Sequence, residues 1–289
     1  MNKMHDIFFF TDIHGMYDLY RAIMNYCNEQ DPEAMIIFGG DACDRGKDGY
    51  KIMKELLDNP RIVYLKGNHE DMFVKAARQI KNEVKIDEGK DIRSAIYWCG
   101  SYDYRYEDIR LSIMNGGLTT LVDWAEDGMD MKFVDKIDKL PLTFSTDVCD
   151  FCHAAGVYQT FERAANAEYN GFPVGKFDAE SLAWTRSCFN VGWAPNRIAV
   201  FGHTPVPYLG DYMDADFDEE VCPQPYKWVG DFYPDMTGAK IDMDTGACFT
   251  GNAYVLNVLT MKAQGFEDTD VNNIEINQHD IKKIDCVQL

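Results

Sequence analysis

The first clear pattern in the chain is an unbroken apolar run, Ile7 to Phe10, that stops at the polar turn "TDIHG". A short run with no polar alternation reads as a strand buried on both faces. The next segment, "MYDLYRAIMNYCNEQ", spaces apolar residues such as Tyr17, Ile23 and Met24 at helical intervals, and "AMIIFGGD" is a second short buried strand. The unit then repeats, with "GYKIMKELLDN" as helix and "RIVYLKGNHE" as strand and polar loop. Strands alternating with helices predict parallel strands of an α/β sheet. Ligands of such sheets bind beyond the carboxyl ends of the strands, so three polar loops converge on one edge.

Beyond this frame the pattern is less regular. Residues 75–115 are charged and aromatic without a clean period, and read as a helical insertion around the site. "RIAVFGHTP" is a further strand ending in a histidine loop, and "LPLTFSTDVCDF" reads as one strand running up to His153. "ACFTGNAYVLNVLT" reads as a strand pair around Gly251 and Asn252, which makes the last half a second sheet. "GDYMDADFDEEVCPQPYKWVGDFYPDMTGAK" reads as a long surface loop, and the partial alternation in "IEINQHDIKKIDCV" as an edge strand.

Composition narrows the chemistry. The chain has 289 residues, 46% of them hydrophobic, enough for a substantial core. Its 28 Lys and Arg against 48 Asp and Glu leave a formal net charge of −20. That field repels nucleic-acid polymers and anionic membranes, so neither is an expected partner, and a phosphate-bearing ligand needs local cations. No apolar run approaches the roughly 20 residues that span a bilayer, and the run near Met1 lacks the features of a signal peptide, which predicts a cytoplasmic protein. Nine scattered cysteines, an odd number, read as mostly reduced thiols. Two of them stand in "CDFCH", Cys149 to His153, which has the C-x-x-C-H spacing of c-type haem attachment and also suggests a thiol redox pair or a zinc knuckle. A haem electron-transfer protein is therefore the competing reading from another class. Extended geometry weighs against it, because Cys149 and His153 face one side of a strand and Cys152 the other.

Of six histidines, His14, His69, His153 and His203 each follow a predicted strand among small or acidic neighbours. Imidazole, carboxylate and amide oxygen together suit divalent manganese, iron or zinc, whereas magnesium and calcium prefer oxygen alone. Asp12 and His14, two apart in an extended segment, can point the same way and chelate one ion. A single D-x-H or G-H-T is common by chance; five such loops in order are specific.

The series "TDIHG", "GDACDRG", "GNHE", "CHAAG" and "FGHTP" resembles the calcineurin-like metallophosphoesterases, in the phosphoprotein phosphatase branch of bacterial and bacteriophage-lambda-type enzymes. "MNGG", "LPL", "LAWTR" and "DTGACFTGN" extend the likeness over most of the chain. The resemblance implies an α/β (α+β) fold, a two-sheet β-sandwich flanked by helices with metals at the carboxyl ends of the strands. It further implies one domain over residues 1–289, with insertions at about 76–110 and 207–240 and a tail from about 262.

Carried over residue by residue, the resemblance makes Asp12 and His14 ligands of one divalent ion, Asp41 the bridge to a second, and Asn68, His153 and His203 the remaining ligands of that second ion. It places manganese first for the pair, with iron, zinc, nickel or cobalt as alternatives. A hydroxide shared by two such ions would attack phosphorus in line, and His69, oriented by Asp44, would protonate the leaving oxygen. Arg45 and Arg186, with Asn68 beside them, would hold the phosphate oxygens. The implied activity is that of a serine/threonine protein phosphatase, with a phosphoprotein or a small phosphorylated molecule as substrate; a symmetric bis(5'-nucleosyl)-tetraphosphatase or a nucleotide phosphodiesterase are the alternatives on the same site. Lys66 where many relatives carry Arg, and Thr11 where they carry Gly, are departures. Glu70 reads as an acid behind the ligands or a helix N-terminal carboxylate, outside the catalytic set, and "DYMDADFDEE" at 211–220 as a solvated loop or a shaper of substrate entry.

Overall fold

Neighbouring side chains of the first apolar run point in opposite directions, and each direction finds a different core. In the computed structural model, which describes residues 5–85, 91–212, 224–229 and 235–267, that run is strand β1, Ile7–Phe10. Phe8 and Phe10 pack with the helices on the outer side, while Phe9 packs between two sheets, where its ring stacks on Phe151 at 5.3 Å between centroids.

After β1 come α1 (Tyr17–Gln30), β2 (Met35–Phe38), α2 (Gly49–Asp58), β3 (Ile62–Tyr64) and α3 (Asn68–Glu83). Four more helices follow: α4 (Ile92–Tyr102), α5 (Glu107–Met114), α6 (Leu118–Glu126) and α7 (Met131–Asp138). The second half holds β4 (Thr143–Ser145), β5 (Cys149–Cys152), α8 (Tyr158–Asn170), α9 (Lys176–Trp184) and β6 (Ile198–Phe201). A 3-10 turn at Val206–Asp211, then β7 (Tyr226–Val229), β8 (Ala239–Asp242), α10 (Ala247–Thr250), β9 (Asn252–Asn257) and β10 (Lys262–Glu267) complete the described residues.

The first sheet runs β10-β9-β1-β2-β3 and the second β4-β5-β6-β8-β7. β1, β2 and β3 are parallel, as are β5, β6 and β8, so the carboxyl ends of each set share one edge of their sheet. Between the sheets lie Phe9, Ile37, Leu65, Phe151, Val200, Ile241 and Leu256; a second apolar layer, with Phe161, Leu182, Trp193 and Phe201, joins the other face of the second sheet to α8 and α9. This is the α/β two-sheet sandwich flanked by helices that the resemblance implies. No described helix is long and apolar enough to cross a membrane.

Four sequence expectations are corrected. "LPLTFSTDVCDF" is not one strand but the antiparallel pair β4 and β5, because Thr146 Oγ1 accepts from Cys149 N at 3.0 Å and turns the chain. Residues 247–250 are helical rather than extended, since Gly246 and Gly251 take left-handed φ of 74° and 70° at either end. The strand that follows, β9, pairs antiparallel with β1 and carries β10 with it, so both belong to the first sheet and not the second. Within the expected surface loop, β7 forms an antiparallel edge on β8. The expected tail strand and most of the acidic stretch 211–220 lie outside the described residues.

Candidate active site

Backbone strain gathers where the five loops meet. Among the described residues, nine other than glycine have positive φ, and six of them are Asp12, His14, Asp41, Asp44, Arg45 and His203. Such conformations cost of order 1–3 kcal/mol each and persist only where the surroundings over-determine them. The expectation that Asp12 and His14 converge because their segment is extended is therefore wrong in its cause. Their φ values of 54° and 44° coil the loop, and the loop is pinned to its neighbour by His14 N to Asp41 O at 3.0 Å and Gly15 N to Ala42 O at 2.8 Å. The approach needs glycine on both sides, for a Cβ on Gly46 would lie 2.4 Å from His14 O.

The loops bring the predicted residues into two buried groups that share Asp41: His14 with Asp41 and His69, and Asp41 with His153 and His203. Asp41 divides its oxygens between them. Oδ2 lies 3.6 Å from His14 Nε2 and 3.8 Å from His69 Nε2, and Oδ1 lies 3.3 Å from His153 Nε2. Asp12 Oδ1 is 4.0 Å from His14 Nε2. Asn68 Oδ1 sits between two imidazoles, 3.0 Å from His153 Nε2 and 2.9 Å from His203 Nδ1. Three histidines each spend one ring nitrogen on a backbone carbonyl: His14 Nδ1 donates to Cys43 O at 3.0 Å, His153 Nδ1 to Gly39 O at 2.9 Å, and His203 Nε2 to Trp184 O at 3.1 Å. A carbonyl only accepts, so the other nitrogen of each ring is turned inward with its tautomer set, the usual support of a metal-binding histidine.

The electrostatics point the same way. Burial would raise Asp41, yet the imidazoles of His153, His69 and His14 hold it well below the usual carboxylate range. Burial disfavours charge on His153, but Asp41 lifts it to about 10. Burial and the neighbouring His69 push His14 down, and burial and His153 do the same to His203. Behind them, burial raises Asp12, and burial with like charge raises Asp242 and Asp244 well above the carboxylate range. Asp12 Oδ1 and Asp242 Oδ2 are buried without a hydrogen-bond partner. Crowded carboxylates, an orphaned oxygen and inward imidazole nitrogens are a donor set that fits divalent cations.

The helper residues occupy distinct places. His69 Nδ1 bonds Asp44 Oδ2 at 2.8 Å, and its Nε2 lies 3.2 Å from Arg45 Nη2. Burial alone would lower His69, but Asp41 and the bond to Asp44 raise it above the ordinary histidine value. Arg186 follows α9 rather than lying within it, and its Nη2 donates to His203 O at 3.2 Å. Lys66 does not face the cluster: its Nζ bonds Asp138, so this departure acts on the packing of α7. Thr11, the other departure, donates its hydroxyl to Asp12 Oδ2 at 2.6 Å.

Glu70 is both of the things the sequence offered for it, an acid behind the ligands and a carboxylate at a helix start. Fully buried, it accepts from Asp41 N and Ala42 N, both at 2.8 Å, from Gly67 N at 2.9 Å and from Tyr64 Oη at 2.7 Å. It thereby ties the Asp41 loop to the start of α3. Its position three residues after Gly67, where a helix begins, is the local signal, the spacing of a capping carboxylate. The cysteines of "CDFCH" form no common centre. Cys149 lies in the core between the sheets, whereas Cys152 faces α8 and α9, where its Sγ lies 3.2 Å from Ala154 O.

The chain is similar to known proteins. The calcineurin-like phosphoesterase family pattern matches residues 5–226. A human serine/threonine-protein phosphatase with EF-hands 2 is 27% identical over 193 residues, covering 63% of this chain and 24% of that protein. A symmetrical bis(5'-nucleosyl)-tetraphosphatase of Buchnera aphidicola subsp. Acyrthosiphon pisum is 29% identical over 79 residues, covering 27% of this chain and 29% of that protein. The chain thus spans less than a third of the length of either relative. The structure of a protein serine/threonine phosphatase from Saccharomyces cerevisiae superposes with a TM-score of 0.47 at 13% identity, over 94% of this chain and 82% of that one. Because the family pattern runs through all five loops that build the buried cluster, the chain belongs to the calcineurin-like phosphoesterases, hydrolases that act on phosphoric esters.

Proposed function

We propose that this protein is a serine/threonine protein phosphatase that hydrolyses phosphomonoesters with a pair of divalent cations, manganese first among manganese, iron, zinc, nickel and cobalt. The observation that carries the reading is Asp41, whose two oxygens face separate imidazole groups at 3.3 and 3.6 Å. Asp12, His14 and Asp41 would hold one cation, and Asp41, Asn68, His153 and His203 the other. Such a pair supplies Lewis acidity toward phosphoryl oxygens and makes water a competent nucleophile near neutral pH.

The chain's own groups do the rest. Arg45 and Arg186, with the Asn68 amide beside them, orient the phosphate and offset its charge, which a chain of net charge −20 otherwise repels. His69 delivers a proton from Nε2 to the leaving oxygen when its ring is doubly protonated, while Asp44 accepts the Nδ1 proton, orients the ring and favours its charged form. The phosphatase reading stands ahead of the dinucleoside tetraphosphate and nucleotide phosphodiester readings because the alignment with the phosphatase covers 63% of this chain and that with the tetraphosphatase 27%. Thiols at Cys27, Cys43 and Cys152, all buried and with pKa raised by burial, suit a reducing compartment such as the cytoplasm.

The test is phosphate release from phosphoserine and phosphothreonine peptides across a metal panel, beside ADP release from diadenosine tetraphosphate. Asp41→Asn is expected to abolish metal-dependent turnover, and His69→Asn to lower kcat by about 10²–10⁴-fold. Undiminished turnover in either variant overturns the mechanism, and faster ADP release than peptide turnover moves the substrate to the dinucleotide.

A further inference from the structure

Arg45 has a second set of contacts that the chemistry above leaves unused. Its guanidinium carbon lies 5.3 Å from the centre of the Phe249 ring, while Nη1 lies 3.7 Å from Cys248 Sγ and Nη2 3.2 Å from His69 Nε2. The ring therefore stands one guanidinium away from the imidazole that faces the leaving oxygen. Phe249 is nonetheless 65% exposed.

This ring is held in place. Phe249 N bonds Gly246 O at 2.8 Å, Gly246 N bonds Asp244 Oδ1 at 2.8 Å, and Thr250 Oγ1 bonds Thr245 O at 3.0 Å. The backbone of Arg45 is fixed as well, since Gly116 O accepts from Arg45 N at 3.0 Å. One exposed apolar side chain is ordinary on any surface, but a ring braced by its own turn and held against an arginine of the site forms an apolar face at the edge of that site. A guanidinium stacked on a ring by its face still donates to phosphate oxygens through its edge, so Arg45 can bind phosphate with Phe249 in place and most of the ring open.

We infer that Phe249 is a specificity-determining residue, a platform on which an aromatic side chain next to the phosphorylated residue stacks, so that the preferred substrates are phosphoserine or phosphothreonine peptides flanked by Phe, Tyr or Trp. The inference rests on the protein-phosphatase reading above. Recognition by an apolar face also fits a chain of net charge −20, which disfavours acidic flanks on its substrates.

The experiment uses three phosphothreonine peptides that differ only at the neighbouring positions: Ala on both sides, Phe on the N-terminal side, or Phe on the C-terminal side. In the wild-type protein one Phe peptide is expected to exceed the Ala peptide in kcat/KM by about tenfold, the scale of an aromatic pair with its buried area. In Phe249→Ala that ratio falls below about twofold, and in Phe249→Trp it is kept. A ratio cancels any general loss of activity or of folded protein. Wild-type ratios near one for both Phe peptides, or a ratio unchanged in Phe249→Ala, overturn the inference and leave the phosphatase reading standing. Wild-type protein that turns over p-nitrophenyl phosphate but none of the peptides overturns both.

Discussion

Replacing Glu70 by Gln tests whether the site is held from beneath by an ionised acceptor. The carboxylate takes four donors, two on each oxygen: Ala42 N and Tyr64 Oη on Oε1, Asp41 N and Gly67 N on Oε2. Burial and Asp41 raise its pKa, and the hydrogen bonds from Asp41 N, Tyr64 and Ala42 N offset only part of that rise; the three backbone N–H groups can only donate to it. Glutamine keeps one oxygen. Its amide NH₂ will settle on the Oε1 side, because the Tyr64 hydroxyl can rotate to accept while a backbone N–H cannot. The loss is then the charge on all remaining bonds and one orphaned buried N–H at Ala42, about 2–4 kcal/mol in total. Tyr64→Phe removes one bond and costs about 1–2 kcal/mol. The double variant closes the escape route and should cost more than the sum of the two, since the pair shares one network. Urea denaturation reads the stabilities, and calorimetric titration with manganese reads the link to function, with Kd expected to rise about tenfold as the loop holding Asp41 relaxes. A Glu70→Gln protein within about 0.5 kcal/mol of wild type, or a double variant that is simply additive, would refute this account of the buried carboxylate.

Lys240 is buried without a carboxylate partner, its Nζ donating to Gly156 O at 3.3 Å and Cys188 O at 2.6 Å and lying 5.8 Å from the centre of the Trp193 ring, and burial lowers its pKa from 10.5 to about 8. Between about pH 8 and 10.5 the unfolded chain binds more protons at this residue, so its contribution to stability rises with pH. The melting temperature of wild type minus that of Lys240→Met should therefore climb across this range, and a constant difference would show that the lysine keeps its proton throughout. Cys149→Ala and Cys152→Ser are expected to retain most phosphatase activity and manganese binding, whereas His153→Asn loses both; a haem absorption band or lost activity in the cysteine variants would reverse that assignment. Phe9→Ala opens the core between the sheets and should cost about 3–5 kcal/mol in urea denaturation, with a much smaller value showing that the sheets close over the gap.

The loops that make the cluster were legible because their chemistry is local. A glycine beside an Asp or His at a strand end is needed for the turn itself, so Asp12, His14, Asp41, Asn68, His69, His153 and His203 stand in recognisable short strings. The first three strands and their helices were legible for a similar reason, since a run buried on both faces carries its own pattern. Sheet membership was not: whether β9 pairs with β1 or with the second half depends on packing between segments some 245 residues apart, and no periodicity records it.

By itself, then, the sequence determined which residue types arrive at strand ends and that they suit divalent cations, and the resemblance of its motifs to a known family supplied the phosphoester chemistry. The tertiary structure alone decided how they are held. It coiled rather than extended the Asp12 loop, turned Lys66 away to Asp138, gave Glu70 four donors from two stretches of chain, and laid Phe249 against an arginine 204 positions earlier. Hydrogen-bond satisfaction in a buried site is a property of the assembled neighbours, and a linear string states a residue's capacity to bond without stating with whom.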